Sequence, residues 1–310
     1  MKYSIQNGIR VVEVPARDFR IILYDAAKKS MGKNRCNAGF FASFTEKGEK
    51  FTLPVGHHVC DYKATSKWTK KYCTERGKFK GDKFTFDASR WSYSNEFYGK
   101  FVSTLIVANG KASVKSVKSL PSCDYAVSGV PILANGAAVN RADAYAQGWN
   151  SSSLYATWHV FVGLKDADTV YVMAARTSTG NMLTSGEMAK KFKQMGFRDV
   201  IKLDGGGSFY FNTNGTTLST AENRRVCSII DFGEVEGNPY PTPTVTLYKG
   251  IKNAAAVSWL QYELNSHGYS CSVDGSFGPT TLAKLKAYQK ANGLVVDGYC
   301  GPATRASLTR

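Results

Sequence analysis

The sequence predicts an α+β chain: a strand-rich domain on mixed sheets, followed by a small three-helix domain. Three observations carry this. Apolar runs of strand length recur through the first 235 residues with one clear amphipathic helix among them. Three prolines fall within five residues in EGNPYPTPTVTLYKG (236–250). Beyond them an internal repeat with a period of 23 residues appears. The expected organisation is 1–236 as the first domain, 237–249 as a stiff linker and 250–310 as the second domain.

The elements follow in order. TVYVMAAR (169–176) is a continuous apolar run, a strand buried on both faces. TSGEMAKKFKQMG (184–196) is the helix: Thr184 and Glu187 read as a capping box, Met188, Phe192 and Met195 share a face, and Gly196 ends it. DVIKL (199–203) and RRVCSIIDF (224–232) are strands, and FYFNTNGTTL (209–218) is a hairpin turned at Asn-Gly. In the tail, Val257, Leu260 and Leu264 stand at helical spacing and Gly268 stops that helix. VDGSFGPTTLAKL (273–285) returns as VDGYCGPATRASL (296–308); each Asp-Gly makes a turn and each Gly-Pro opens a helix.

Composition narrows the class. A chain of 310 residues with 43% hydrophobic and 13% aromatic residues is folded, not disordered. The N-terminus carries charges throughout and lacks a leader-like apolar run, and no stretch approaches the roughly 20 apolar residues of a membrane span. Synthesis in a cytoplasm without a signal peptide is therefore expected, and no membrane span. The net charge is +16, and KATSKWTKKYCTERGKFKGDK (63–83) is its densest patch. Such a field suits polyanions such as nucleic acid, anionic membranes or phosphate-rich wall polymers, or it is simply a solvated lysine surface. No nucleic-acid motif accompanies it, so nucleic acid is not expected as a partner. The seven cysteines read as free thiols. His57, His58 and Cys60, with Cys73 beyond, match no closed zinc module, so no metal or cofactor is expected, with room left for a divalent cation beside a phosphate.

The most informative stretch is KLDGGGSFYF (202–211). Asp204 ends an apolar strand. Gly205, Gly206 and Gly207 permit backbone angles and close approaches closed to other residues, and successive amides can face an anion. Ser208 adds a hydroxyl donor. The combination suits an oxygen-rich, negatively charged ligand with Asp204 as base or acceptor.

Two resemblances follow from these motifs. LQYELNSHGY and the doubled D-G-x-x-G-P resemble the peptidoglycan-binding type 1 domain over nearly all of 250–310, which implies docking onto the bacterial cell wall. NAGFF (37–41), VSGVPIL (127–133), the lead-in GEMAKKFKQMGFRDVIKL, the D-G-G-G-S run and ENRRVCSII (222–230) resemble the phosphodiester glycosidase family over about 30–235. That resemblance implies hydrolysis between a sugar's anomeric carbon and a phosphate oxygen. It implies Asp204 as the carboxylate facing the sugar, and His159, Arg176 and the 205–207 backbone as the phosphate-holding groups. Asn37 would supply an amide, and Gly39 and Ser208 would join the glycines in binding substrate. The family's Arg-Thr is missing from TWHVFVG (157–163), and Arg176-Thr177 lies one strand later. Glu187 is read as a capping residue rather than a catalyst.

Together the halves resemble a phage endolysin. The expectation is a monomer made in a host cytoplasm, released through a holin pore and acting on the wall. Its expected target is the N-acetylglucosamine 1-phosphate linkage of teichoic acid to peptidoglycan. The alternatives are cleavage of the peptidoglycan glycan strand itself and a non-catalytic wall-binding phage protein.

Overall fold

The computed structural model describes residues 1–6, 9–90, 96–150, 158–176, 185–213, 216–234, 238 and 240–309. A seven-stranded sheet runs in the spatial order Lys2–Gln6, Ile9–Pro15, Thr169–Arg176, Trp158–Leu164, Asp199–Gly205, Val130–Ala134, Ala137–Ala138, every neighbour antiparallel. An eleven-stranded sheet faces it. There Arg20–Ala27 pairs in parallel with His58–Tyr62, Ile22 opposite Asp61, so the second sheet is mixed.

Alternation explains the apolar runs. Along Thr169–Arg176, Val170, Val172 and Ala174 enter the core between the sheets, where they meet Ile21, Leu23, Leu105 and Ile230. Met173 and Ala175 point the other way, into a second core under the helix Ser185–Gln194. Both faces of the sheet's central strands are covered, so Thr169–Arg176 and Trp158–Leu164 are apolar over most of their length.

The helix presents Met188, Ala189 and Phe192 to that core. It ends at Gly196, whose φ of +82° is left-handed, and the Phe197 amide donates to the Phe192 carbonyl at 3.0 Å. Glu187 forms an ion pair with Lys191 at 3.1 Å; its expected partner Thr184 lies outside the described residues. The expected hairpin is formed by Tyr210–Thr213 and Thr216–Ser219, paired from Tyr210↔Ser219 to Thr213↔Thr216; its Asn-Gly turn also lies outside the described residues.

The lysine-rich segment holds a helix that the sequence reading did not place, Lys67–Arg76. The Ser66 hydroxyl caps it by accepting from the Thr69 amide, and Trp68, Thr69 and Cys73 turn inward. Its cations lie on rings: Lys70 stands 3.7 Å from the Phe79 centroid, and Arg76 stands 5.0 Å from that of Tyr72. All seven cysteines are free, and among the described residues no cluster of His, Cys, Asp and Glu could hold a metal. No helix among them is long and apolar enough to cross a membrane.

The tail forms the helices Ala254–Ser266, Pro279–Ala291 and Pro302–Leu308 around Val257, Leu260, Leu264 and Leu285. A buried glutamine organises each repeat. Gln261 Nε2 donates to Asp274 Oδ1, the Ser276 carbonyl and Thr281 Oγ1, while its Oε1 accepts the Asp274 and Gly275 amides. Gln289 does the same one repeat on, with Asp297, the Tyr299 carbonyl, Thr304 and the Gly298 amide. One side chain thus satisfies a whole Asp-Gly turn and ties it to the following helix. The tail meets the first domain where Tyr262 packs on Tyr3, ring centroids 6.0 Å apart.

Removing either glutamine strands several buried partners. Gln261→Ala and Gln289→Ala should each lower the stability of the three-helix unit by about 2 kcal/mol. Amide hydrogen exchange over 254–308 reads this; unaltered protection in either variant would refute the clamp.

Candidate functional site

Asp204 stands at a register slip. His159 pairs with Gly205 but Phe161 pairs with Lys202, so Leu203 and Asp204 together oppose Val160. This is a β-bulge, a device that re-aims a side chain at a strand end. The Asp204 amide leaves its own ladder and donates to the Ala38 carbonyl of the facing layer at 3.1 Å.

From there the chain makes a single helical turn, Gly206–Ser208, and enters the next strand at Tyr210. Asn37 closes the turn at both ends. Its Nδ2 donates to the Asp204 carbonyl at 2.8 Å, and its Oδ1 accepts the Tyr210 amide at 2.9 Å. Lys28, fully buried, holds the underside: Nζ donates to the Gly207 carbonyl, the Thr220 carbonyl and Thr220 Oγ1, each at 2.9 Å. With the carbonyls drawn down, the first amides of the turn, Gly206 and Gly207, stand outside the turn's own hydrogen bonding.

Each glycine has its own reason. A Cβ on Gly205 would collide with the Trp158 carbonyl and come 2.8 Å from His159 Nδ1. Gly206 has φ +57°. A Cβ on Gly207 would strike Glu222 and come 2.7 Å from Arg224 Nη2. Bare main chain is therefore required by the protein's own packing, and it also leaves this floor without side chains.

Residues 35–230 match the family model described as phosphodiester glycosidase. The chain belongs to the phosphodiester glycosidase family. Residues 253–308 match the peptidoglycan-binding domain model. Two curated relatives are similar over short stretches. One is the zinc D-Ala-D-Ala carboxypeptidase of Streptomyces albus G, 38% identical over 77 residues, 24% of this chain and 29% of the relative. The other is an uncharacterized protein of Kitasatospora aureofaciens encoded in the bpoA1 3′ region, 51% identical over 55 residues, 17% of this chain and 47% of the relative. The chain thus spans less than a third of the first and about half of the second. Among solved structures, the zebrafish N-acetylglucosamine-1-phosphodiester α-N-acetylglucosaminidase catalytic domain, auto-inhibited by its pro-peptide, is 14% identical. It matches with a TM-score of 0.39, covering 70% of this chain and 89% of that one. A hypothetical protein from Synechocystis is 12% identical with a TM-score of 0.37, covering 74% and 60%.

In this glycosidase domain the Asp204 carboxylate is half-buried. Burial raises its pKa, while hydrogen bonds from Ser208 and the Gly205 amide and the charges of Lys202 and Arg224 pull the other way. Lys202 is buried, and burial pushes its pKa down to about 8 against the opposing pull of Asp204. Its Nζ lies 5.0 Å from the Phe40 ring centroid, and Phe40 in turn packs on Trp149. The Asp204 carboxylate thus feels two cations, Lys202 and Arg224, the first of which lies over the Phe40 ring.

The structure brings some expected residues together and separates others. Asp204, the three glycines, Ser208, His159 and Asn37 meet at the turn. Asn37 and Ser208 are spent on the protein itself, the first on the turn and the second on the Asp204 carboxylate. Gly39 makes room for an imidazole: its Cβ would lie 2.6 Å from His58 Cε1. Arg176 does not share a face with His159. It pairs with Trp158, whereas His159 pairs with Ala175, and neighbouring pairs alternate across the sheet. The cation beside the turn is Arg224, held by Glu222 at 2.7 Å.

Arg224, Lys202 and Lys28 were missed, and His58 was weighed only as a metal ligand. Lys202 had a signal, a lone charge within the apolar run VIKLD. Lys28 in DAAKKS had none. His58 is fully buried with no hydrogen-bond partner for either ring nitrogen among the described residues, and burial lowers its pKa to about 4, leaving it neutral. His57 beside it is engaged with Asp87 at 3.3 Å and the Val117 carbonyl at 3.3 Å.

Backbone obstruction costs more than displacing the tip of a side chain. Gly205→Ala should lower stability by about 2–3 kcal/mol and Gly207→Ala by less than about 1 kcal/mol, read by chemical denaturation. Equal losses would contradict the assigned contacts. Lys202 has a pH signature. Its pKa is about 8 folded and 10.5 ordinarily, so between these values the unfolded chain holds a proton that the folded protein has released. Stability from this group therefore rises with pH from about 8 toward 10.5. Lys202→Met should remove a rise on the order of 3 kcal/mol across that window, seen as the difference between variant and wild-type denaturation curves.

Proposed function

We propose that this protein hydrolyses a glycosyl phosphodiester in the bacterial cell wall, namely the N-acetylglucosamine 1-phosphate bond that links teichoic acid to peptidoglycan. The observation that carries the reading is Asp204: a half-buried carboxylate aimed by a bulge, standing between Lys202 and Arg224 over bare main chain. The family membership, the peptidoglycan-binding domain and the net charge of +16 support the same class of substrate.

The bond broken joins the anomeric carbon to a phosphate oxygen. The electron pair leaves with the phosphate, a good leaving group, so little proton donation is needed. Positive charge develops on the sugar and negative charge on the departing oxygen. Asp204 faces the first and assists the attacking water as base. Arg224, the Gly206 and Gly207 amides and His159 hold the second. Burial raises the Asp204 pKa, which suits a base, while Ser208, the Gly205 amide, Lys202 and Arg224 oppose that rise. Arg224 replaces Arg176 in the role first assigned to the latter. Export through a holin pore and action as a phage endolysin complete the proposal.

The test is release of polymer from teichoic-acid-bearing walls. Wild type should free both phosphate and glycan, and Asp204→Asn should lose about 10³-fold or more in kcat while still binding walls. Arg224→Ala should lose about 10²-fold, and Arg176→Ala far less. Background release by wild type would end the reading. Reducing ends appearing from walls stripped of teichoic acid would favour glycan-strand cleavage instead.

A further inference from the structure

The geometry points to a second anion subsite beside the Asp204 centre, which takes the next phosphate of a phosphodiester-linked polyol chain attached to the sugar being cleaved. The inference rests on the reading of Asp204 as the centre of a glycosyl phosphodiesterase.

A cleft of about 340 Å³ opens between the hairpin Phe41–Glu46/Glu49–Pro54 and the segment Asn223–Arg225. Three cations line it, Lys50, Arg224 and Arg225, together with the hydroxyls of Ser43 and Thr45 and the rings of Phe44 and Phe51; Thr52 borders it with its hydroxyl committed to Asp25. No carboxylate is among the lining residues. Hairpin register explains the composition: Ser43 opposes Thr52 and Thr45 opposes Lys50, so these four share one face. The intervening pair Phe44 and Phe51 stacks at 5.4 Å, and Phe51 stacks in turn on Tyr72 at 5.1 Å.

The two arginines are held in place. Arg225 is locked from behind by the buried Asp25, its Nε donating to Asp25 Oδ1 at 3.1 Å. Asp25 also accepts from the Thr52 amide at 3.0 Å and the Thr52 hydroxyl at 2.6 Å, which ties the hairpin to the same hub. Asp25 and Glu222 each offset one arginine, so Lys50 carries the unbalanced charge, its side chain exposed at the mouth.

Arg224 belongs to both places. It lines this cleft and also stands against Gly207 and acts on Asp204. A ligand whose sugar faces Asp204 and whose first phosphate sits on Arg224 therefore meets a second cationic, hydroxyl-lined cleft directly beside it. A single sugar phosphate has nothing to place there; a polymer with phosphate in every repeat does. Nucleic acid fits less well, because base stacking needs open aromatic faces, and of the two rings in the lining Phe51 is buried and Phe44 stacks on it.

The experiment uses the full chain and two substrates: an N-acetylglucosaminyl phosphodiester with one phosphate, and the same sugar phosphate extended by a short poly(glycerol phosphate). Lys50→Glu, alone and with Thr45→Val, should lower kcat/KM on the extended substrate about 10-fold and leave the single-phosphate substrate within 2-fold. The roughly 10-fold difference between wild type and variant on the extended substrate should shrink as salt rises. Binding of sugar-free poly(glycerol phosphate) is measured in parallel and should weaken in the same variants, whatever the hydrolytic activity. Equal effects on both substrates, no effect on either, or a single-stranded DNA of matched charge competing as well as the polyol polymer would overturn the subsite. If wild type hydrolyses neither substrate yet binds the polymer through Lys50, the subsite stands and the assigned reaction falls.

Discussion

The site depends on one side chain reaching across the sandwich. Asn37 lies 167 residues before Asp204 in the chain, yet its amide bonds the carbonyl that opens the glycine turn, and also the Tyr210 amide that ends it. A segment of three glycines has more conformational freedom to lose than any other, so it adopts one shape only if its ends are held. Asn37 holds them, Lys28 fixes the Gly207 carbonyl between, and Thr220 Oγ1 bonds that of Gly206. The strand carrying Asn37 belongs to the eleven-stranded sheet and the strand carrying Asp204 to the seven-stranded one, so the site exists only when the two sheets are packed.

The same packing sets the electrostatics. Burial works against the charge of Asp204 and of Lys202, and each offsets the penalty on the other. Neither would be stable alone in that place. An acid flanked by cations over a bare backbone is a poor structural element, since apolar residues would pack there at less cost.

The tail solves a smaller problem with the same device. A three-helix unit has little core, so its turns must be satisfied by side chains. One glutamine in each repeat does so, and the two sets of contacts superpose in kind down to the threonine of the next helix. The domain that meets the wall is rigid because its turns are bonded inward, which leaves its surface free for recognition.

Much of this was legible in one dimension. Val170, Val172 and Ala174 announce a buried strand, Met188 and Phe192 a helix face, and the doubled D-G-x-x-G-P a repeat, because period and turn chemistry are local properties. The D-G-G-G-S run marked the place of the site for the same reason. What the sequence alone could not decide was which cation stands beside Asp204. Arg176 and Arg224 look equivalent in one dimension. Strand alternation sends Arg176 to the face of Trp158, and the fold returns Arg224 to Gly207. The bulge at Leu203–Asp204, the burial that lowers Lys202 and the partnership of Asn37 with the turn likewise arise from register between strands distant in sequence. Local pattern determines which elements form; only their pairing in space determines which charges meet.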